Sequence, residues 1–205
     1  MPFNCPSVSP ITSLVAQTCP EIFDQIQAVA FQEAGTPFAT EVAMQTLATW
    51  TPLLVSVTAT KIQVGKVFNP IIAPSEALTA GGNDNSTIDG IPEYNGEGFT
   101  ALTWEFRNLT AANKRALLDY ISHSIASVGS TNLVAYFFTR GNKIIYNAAG
   151  GLFAGFPVFN FRVSSVSSQG INAQNIYQSG VSVGAGWDDF FAITQAAFNI
   201  SDVLP

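Results

Sequence analysis

The sequence predicts a mainly β, α+β domain: an antiparallel β-sandwich or open barrel with one packed helix over about 110–127. Three observations lead there. Apolar and polar residues alternate with a period of two through much of the chain. One segment only, after Thr110, carries a long stripe at helical spacing. The chain has 205 residues, enough to bury a core without disulfides or a metal. The expected organisation is an extended N-terminal arm over 1–20 and a single domain over 21–205.

Taken in order, residues 1–20 carry Pro2, Pro6, Pro10 and Pro20, each fixing φ and removing a donor, so this stretch reads as an arm. Pro20 suits a first helical turn, Glu21 and Asp24 favour its dipole, and Ile22, Ile26, Val29 and Ala30 follow helical spacing. These predict an N-terminal helix over 20–34, ended by Gly35 and Pro37. Ala39–Thr49, with Val42, Met44 and Leu47, reads as a second helical stretch. Leu53–Val67 alternates as a strand, as does Thr100–Arg107, where Leu102, Trp104 and Phe106 oppose Thr103, Glu105 and Arg107.

Thr110 is a good N-cap for a helix over Ala111–Ser127. Leu117, Leu118, Ile121 and Ile125 form its apolar stripe; Lys114, Arg115 and Asp119 lie off it. The remainder reads as antiparallel strands: Leu133–Thr139 and Lys143–Asn147 around the turn Arg140-Gly141-Asn142, then Phe156–Val166, Ile176–Val183 and Trp187–Thr194. In Phe156–Val166, Phe159, Phe161 and Val163 share one face.

Between the strands ending at Val67 and beginning at Thr100 lies the polar stretch Gly81–Gly98. It spans eighteen residues and holds four of the fourteen carboxylates. A loop this long on a compact domain carries function or is disordered. Asn83, Asp84, Asn85, Asp89, Glu93, Tyr94 and Glu97 are its candidate functional residues. Asp84, Asp89, Glu93 and Glu97, with Asn83 or Asn85, offer the hard oxygens calcium prefers. The EF-hand order fails, however: counted from Asn83, the position requiring glycine is Ile88, and the bidentate position is Tyr94. Two glycosidase carboxylates need a fixed separation that one flexible loop does not supply.

Composition limits the function classes. Hydrophobic residues make up 47% of the chain and charged residues 11%, against about 25% charged in a typical domain. So few charges leave much surface to be covered by other subunits, since obligate interfaces resemble a core cut in half. The net charge of -6 and the lone basic pair Lys114-Arg115 argue against gripping nucleic acid. Met1–Pro6 has neither the basic nor the apolar region of a signal peptide, and no run reaches about 18 apolar residues, so no transmembrane helix is expected. Cys5 and Cys19 fit a disulfide or free thiols in a reducing compartment, and free thiols are the preferred reading. The sequons at Asn85, Asn108 and Asn199 read as chance matches.

No catalytic set is evident. His123, the single histidine, sits off the helical stripe as an ordinary surface position. There is no Gly-x-Ser-x-Gly elbow, no ligand-spaced cysteine pair for zinc, and no phosphate loop. Gly184-Ala185-Gly186-Trp187 falls between two strands, which is wrong for a dinucleotide site. No enzyme activity, cofactor or metal is expected.

The order of segments is strand, acidic glycine-rich loop, a Trp/Phe strand ending in Phe106-Arg107-Asn108-Leu109-Thr110, helix, then antiparallel strands with a Gly-Asn turn. Over about residues 53–200 this resembles the tail tube (major tail) proteins and related ring-forming virion proteins of tailed bacteriophages. The resemblance implies a β-sandwich with a flanking helix that closes into rings, commonly hexamers, which stack into a tube and pass DNA without holding it. It implies a structural virion protein, assembled in the host cytoplasm, whose partners are further copies of itself and other tail or neck proteins. Heterologous contacts are the symmetry such assembly needs. The arm 1–20, the loop 81–98 and the sheet edges Leu53–Val67 or Ile176–Val183 would make those contacts. A neck, ring or capsid-associated role is the nearest alternative. A carbohydrate- or partner-binding β-sandwich, with Tyr94, Trp104 or Trp187 as an aromatic platform, is the other.

Overall fold

A computed structural model describes residues 25–58, 60–82, 91–125, 132–168 and 174–204. The elements run β1 (Ile26–Glu33), α1 (Glu41–Gln45), α2 (Leu47–Val55), β2 (Ile62–Lys66), β3 (Phe68–Ala73), β4 (Ala77–Ala80), β5 (Glu93–Glu97), β6 (Thr100–Arg107), α3 (Ala111–Ser124), β7 (Leu133–Thr139), β8 (Lys143–Asn147), β9 (Phe156–Val163), β10 (Ile176–Val183) and β11 (Phe191–Gln195). The expected class is observed: an antiparallel β architecture with few helices.

The ladders, with one chain connection from β2 to β3, complete a circuit. β7 pairs β1 along its length, β1 pairs β2, and β2 passes through Val67 directly into β3. β3 pairs β6, β6 pairs β10, β10 pairs β9, and the start of β9 returns to β7 at Val134↔Pro157 and Ala135↔Phe156. Every one of these ladders is antiparallel. β8 and β11 branch from the other end of β7 as an extension.

Two cores lie on opposite faces of this sheet. Inside the circuit Val29, Phe31, Leu102, Trp104, Phe106, Phe137 and Phe161 meet, and Leu117, Tyr120 and Ile121 of α3 pack onto them. On the outer face Ala28, Ala30, Ile62, Val64, Tyr136, Phe138 and Ile144 are covered by Met44, Trp50, Phe198 and Val203. Trp50 is the centre of that second core. Its ring lies 5.2 Å from Phe138 and 5.8 Å from Tyr136, and its Nε1 donates to the Met44 carbonyl at 2.7 Å.

Several expectations need correction. Residues 20–34 are not a helix where described, because Ile26–Glu33 is the strand β1. Its centre, residues 28–31, is a short apolar run buried between both cores, and such a run cannot be told from a buried helix by period alone. Ladders to β2 and β7 satisfy its backbone on both edges. The extended arm 1–20 lies outside the described residues. The second helical stretch exists but runs on to Val55, so Leu53–Val55 closes α2 and the strand begins only at Ile62. Ile176–Val183 is no free sheet edge, being paired by β6 and β9 on its two sides.

α3 forms as expected, with Thr110 Oγ1 accepting from the Asn113 N–H at 3.1 Å. Its stripe is narrower than the sequence suggests: Leu118 and Ile125 are exposed, and Tyr120 packs inward instead. Trp187–Phe190 is a 3-10 turn and not the start of β11. In β9, Asn160 adopts φ +53° as the extra residue of a bulge, with Ser182 opposite Phe159 but Gly180 opposite Arg162. The bulge turns Phe159 off the face it was expected to share with Phe161.

Candidate functional site

The segment expected to be a polar loop is half of a β-ribbon. β4 and β5 pair at Ala77↔Glu97, Leu78↔Gly96, Thr79↔Tyr94 and Ala80↔Glu93, with a bulge between the second and third pairs. This ribbon forms a sheet of its own, separate from the circuit. It continues the β3–β6 pair outward from the Ala73↔Ala101 end. The Gly98 N–H closes its base by donating to the Glu76 carbonyl at 2.9 Å. Gly96 at φ +123° takes a backbone conformation a side chain would strain, which allows the bulge.

Every residue of β4 is exposed, and in β5 only Gly96 is partly covered. Leu78, Ile91, Tyr94 and Phe99 present large apolar surface along the ribbon, with Ile71 at its root. Glu76, Glu93 and Glu97 are exposed beside them. Of the expected functional residues, Glu93, Tyr94 and Glu97 are thus gathered on β5. Asn83, Asp84, Asn85 and Asp89 lie outside the described residues. β4 was missed because neither ribbon face meets a core, so Ala77-Leu78-Thr79-Ala80 shows no burial period.

At the other end of the β3–β6 pair, beyond Phe68↔Glu105, the strands part. β6 turns through Asn108, at φ +52°, into α3, while β2 runs on beside β1 only. A groove of about 680 Å³ opens there, lined by all of Lys61–Lys66 and by Phe68, Arg107, Leu117 and Tyr120. Its floor is aromatic and its rim basic. Two cations lie over the Phe68 ring, the Arg107 guanidinium 4.4 Å and the Lys66 ammonium 5.4 Å from its centroid. Arg107 reaches Glu105 at 3.4 Å and the Gln174 Oε1 at 3.4 Å, while its buried Nε has no partner among the described residues. Burial, with the Asp119 charge adding to it, pushes the Tyr120 hydroxyl well above the ordinary phenol range. The Tyr120 ring packs against the inner core and forms one wall of the groove.

The remaining candidates are dispersed. Trp104 is 2% exposed inside the circuit, and Trp187 packs on Phe156 at 5.4 Å and donates to Thr100 Oγ1 at 3.1 Å. Neither joins Tyr94 in an aromatic platform. His123 is exposed at the end of α3. Arg115 is exposed, but Lys114 is half-buried with its ammonium 5.3 Å from the Tyr177 ring, so it is not simply a solvated charge. Among the described residues no three His, Cys, Asp or Glu side chains gather to hold a metal, and no helix is long and apolar enough to cross a membrane. No protein-family model and no curated protein matches the chain.

Proposed function

We propose that this protein is a structural virion subunit that self-assembles into stacked rings forming a phage tail tube or a connected ring. The observation that carries the reading is the β4–β5 ribbon. It is a two-stranded projection with exposed Leu78 and Tyr94 and exposed carboxylates. An isolated two-stranded hairpin is at best marginally stable in water, so a ribbon of this kind gains most by resting on another surface. The scarcity of charge, 11% of residues, supports extensive subunit contact. The acidic balance supports a lumen that lets DNA pass. The reading assigns the chain no reaction.

Negative-stain microscopy of the purified chain tests this, together with a variant lacking Gly82–Gly96. Rings or tubes are expected from the full chain. The deletion is expected to give a folded monomer, since neither core includes the ribbon. A full chain that stays monomeric at high concentration, or normal tubes from the deletion, would defeat the proposal.

A further inference from the structure

The β3–β6 pair has two functional-looking ends, and they differ in kind. The ribbon leaves from the Ala73↔Ala101 end; the groove opens beyond the Phe68↔Glu105 end. β3 is six residues long, so about 17 Å of strand separates them at ~3.4 Å per residue. The ribbon is apolar and acidic; the groove is aromatic and basic. We propose that the groove is the acceptor for the β4–β5 ribbon of a second copy of this chain, giving a head-to-tail contact along the strand direction. This rests on the assembly reading and names the site where the ribbon lands.

Three features fit that occupant. The first is charge. Lys61, Lys66 and Arg107 account for three of the eight basic residues of the chain, and they sit around one groove. Glu76, Glu93 and Glu97 present three carboxylates on the ribbon. Asp202 also lines the groove and Glu105 pairs with Arg107, so the rim's remaining cationic excess is small and rests on Lys61 and Lys66. In a chain of net charge -6, two copies repel on average, and a local cationic site opposite a local anionic one selects the orientation in which they meet.

The second feature is the backbone. β2 has one ladder partner, β1, among the described residues. The groove follows β2 from Lys61 to Lys66, so among the described residues the strand's second edge faces the groove without a ladder partner, where a further strand could add. A ribbon brings such a strand ready-made. The third feature is shape. Phe68, Leu117 and Tyr120 form an apolar floor that takes the side chain of Leu78 or Tyr94, while the basic rim meets the ribbon's carboxylates.

Because donor and acceptor are different surfaces at opposite ends of one strand pair, the contact is heterologous. It closes into a ring or continues as a filament according to the rotation between copies.

Complementary charge reversal tests the pairing. Glu93→Lys with Glu97→Lys reverses the ribbon; Lys61→Glu with Lys66→Glu reverses the groove. Sedimentation velocity on each variant alone, and on their mixture, reads the association. Each variant alone is expected to need about tenfold or more higher concentration to associate than the unaltered chain. The mixture should recover association, because in an alternating order every ribbon meets a groove of opposite sign. Unchanged melting temperatures show that both variants fold.

An unaltered chain that assembles while the groove variant assembles equally well overturns the groove and leaves the assembly reading standing. A groove variant that fails while the ribbon variant assembles normally also overturns the pairing, and assigns the groove to another occupant such as residues 1–24. Failure of the mixture to recover overturns it as well. An unaltered chain that remains monomeric removes both proposals.

Discussion

β7 and β4 are both antiparallel strands with mostly apolar sequences, and their surroundings are opposite. All seven residues of β7 are buried, with Leu133, Ala135 and Phe137 entering one core and Val134, Tyr136 and Phe138 the other. All four residues of β4 are exposed, and its one ladder partner is β5. β7 is held by packing on both faces and by ladders to β1, β8 and β9. The comparison teaches that apolar content alone does not tell what a strand is for. The residues of β7 answer to the fold. Those of β4 and β5 meet little of it, so their chemistry is open to a partner.

The sharpest way to break this comparison is to empty the core that covers the outer face of β7. Trp50→Ala removes a fully buried indole, its contacts with Tyr136 and Phe138, and the hydrogen bond to the Met44 carbonyl. A loss of about 3–5 kcal/mol of unfolding free energy is expected, as for large-to-small changes at buried aromatics. Urea denaturation followed by circular dichroism measures it. A loss below about 1 kcal/mol would mean that β7 does not depend on its second core.

A smaller effect belongs to backbone approach inside the circuit. A Cβ on Gly180 of β10 would lie 2.6 Å from the Leu102 carbonyl oxygen, an atom fixed in the β6 ladder. Gly180→Ala should therefore cost about 1–3 kcal/mol through forced backbone shifts. Gly184, just past the same strand, has open space around its Cα and no positive φ. Gly184→Ala should stay within about 0.5 kcal/mol. Equal melting temperatures for the two variants would remove the claim that β6 and β10 pack too closely for a side chain.

How far each region could be read from sequence follows the same contrast. β6 alternates buried and half-buried residues without exception, so a period of two exposes it at once. α3 was readable from its Thr110 cap and from Leu117 and Ile121. β1, buried on both faces, hid its strand character behind the spacing of Ile26, Val29 and Ala30, which fits a helix equally well. Closure of the circuit depends on Val67 carrying the chain from β2 to β3 without a turn, and no local composition marks that. At the candidate site, Glu93, Tyr94 and Glu97 stand out in the sequence only as part of a long acidic stretch. Their strand was not, because the ribbon has no buried face to impose a pattern. The groove was invisible for another reason. Lys61, Lys66, Arg107 and Tyr120 come from three separated segments, and only the parting of β2 from β6 brings them together.

The smallest stability effect is expected where the proposed function is most exposed. Tyr94 is 64% accessible and lies opposite Thr79 on the ribbon. Tyr94→Ala removes no buried contact of either core, so its unfolding free energy should match the unaltered chain within about 0.5 kcal/mol. If the ribbon's aromatic surface exists for association, the same variant should weaken self-association markedly, because exposed tyrosines are favoured anchors at interfaces. Measuring both quantities on one sample separates the two roles. A stability loss above about 1 kcal/mol would place Tyr94 with β7, among residues the fold requires. Unchanged stability with unchanged association would leave its exposure unexplained and weaken the ribbon's claim to be an assembly surface. Unchanged stability with lost association is the expected outcome: it would show that one chain can carry strands whose sequences are governed by different surroundings, its own core for β7 and a neighbouring molecule for β5.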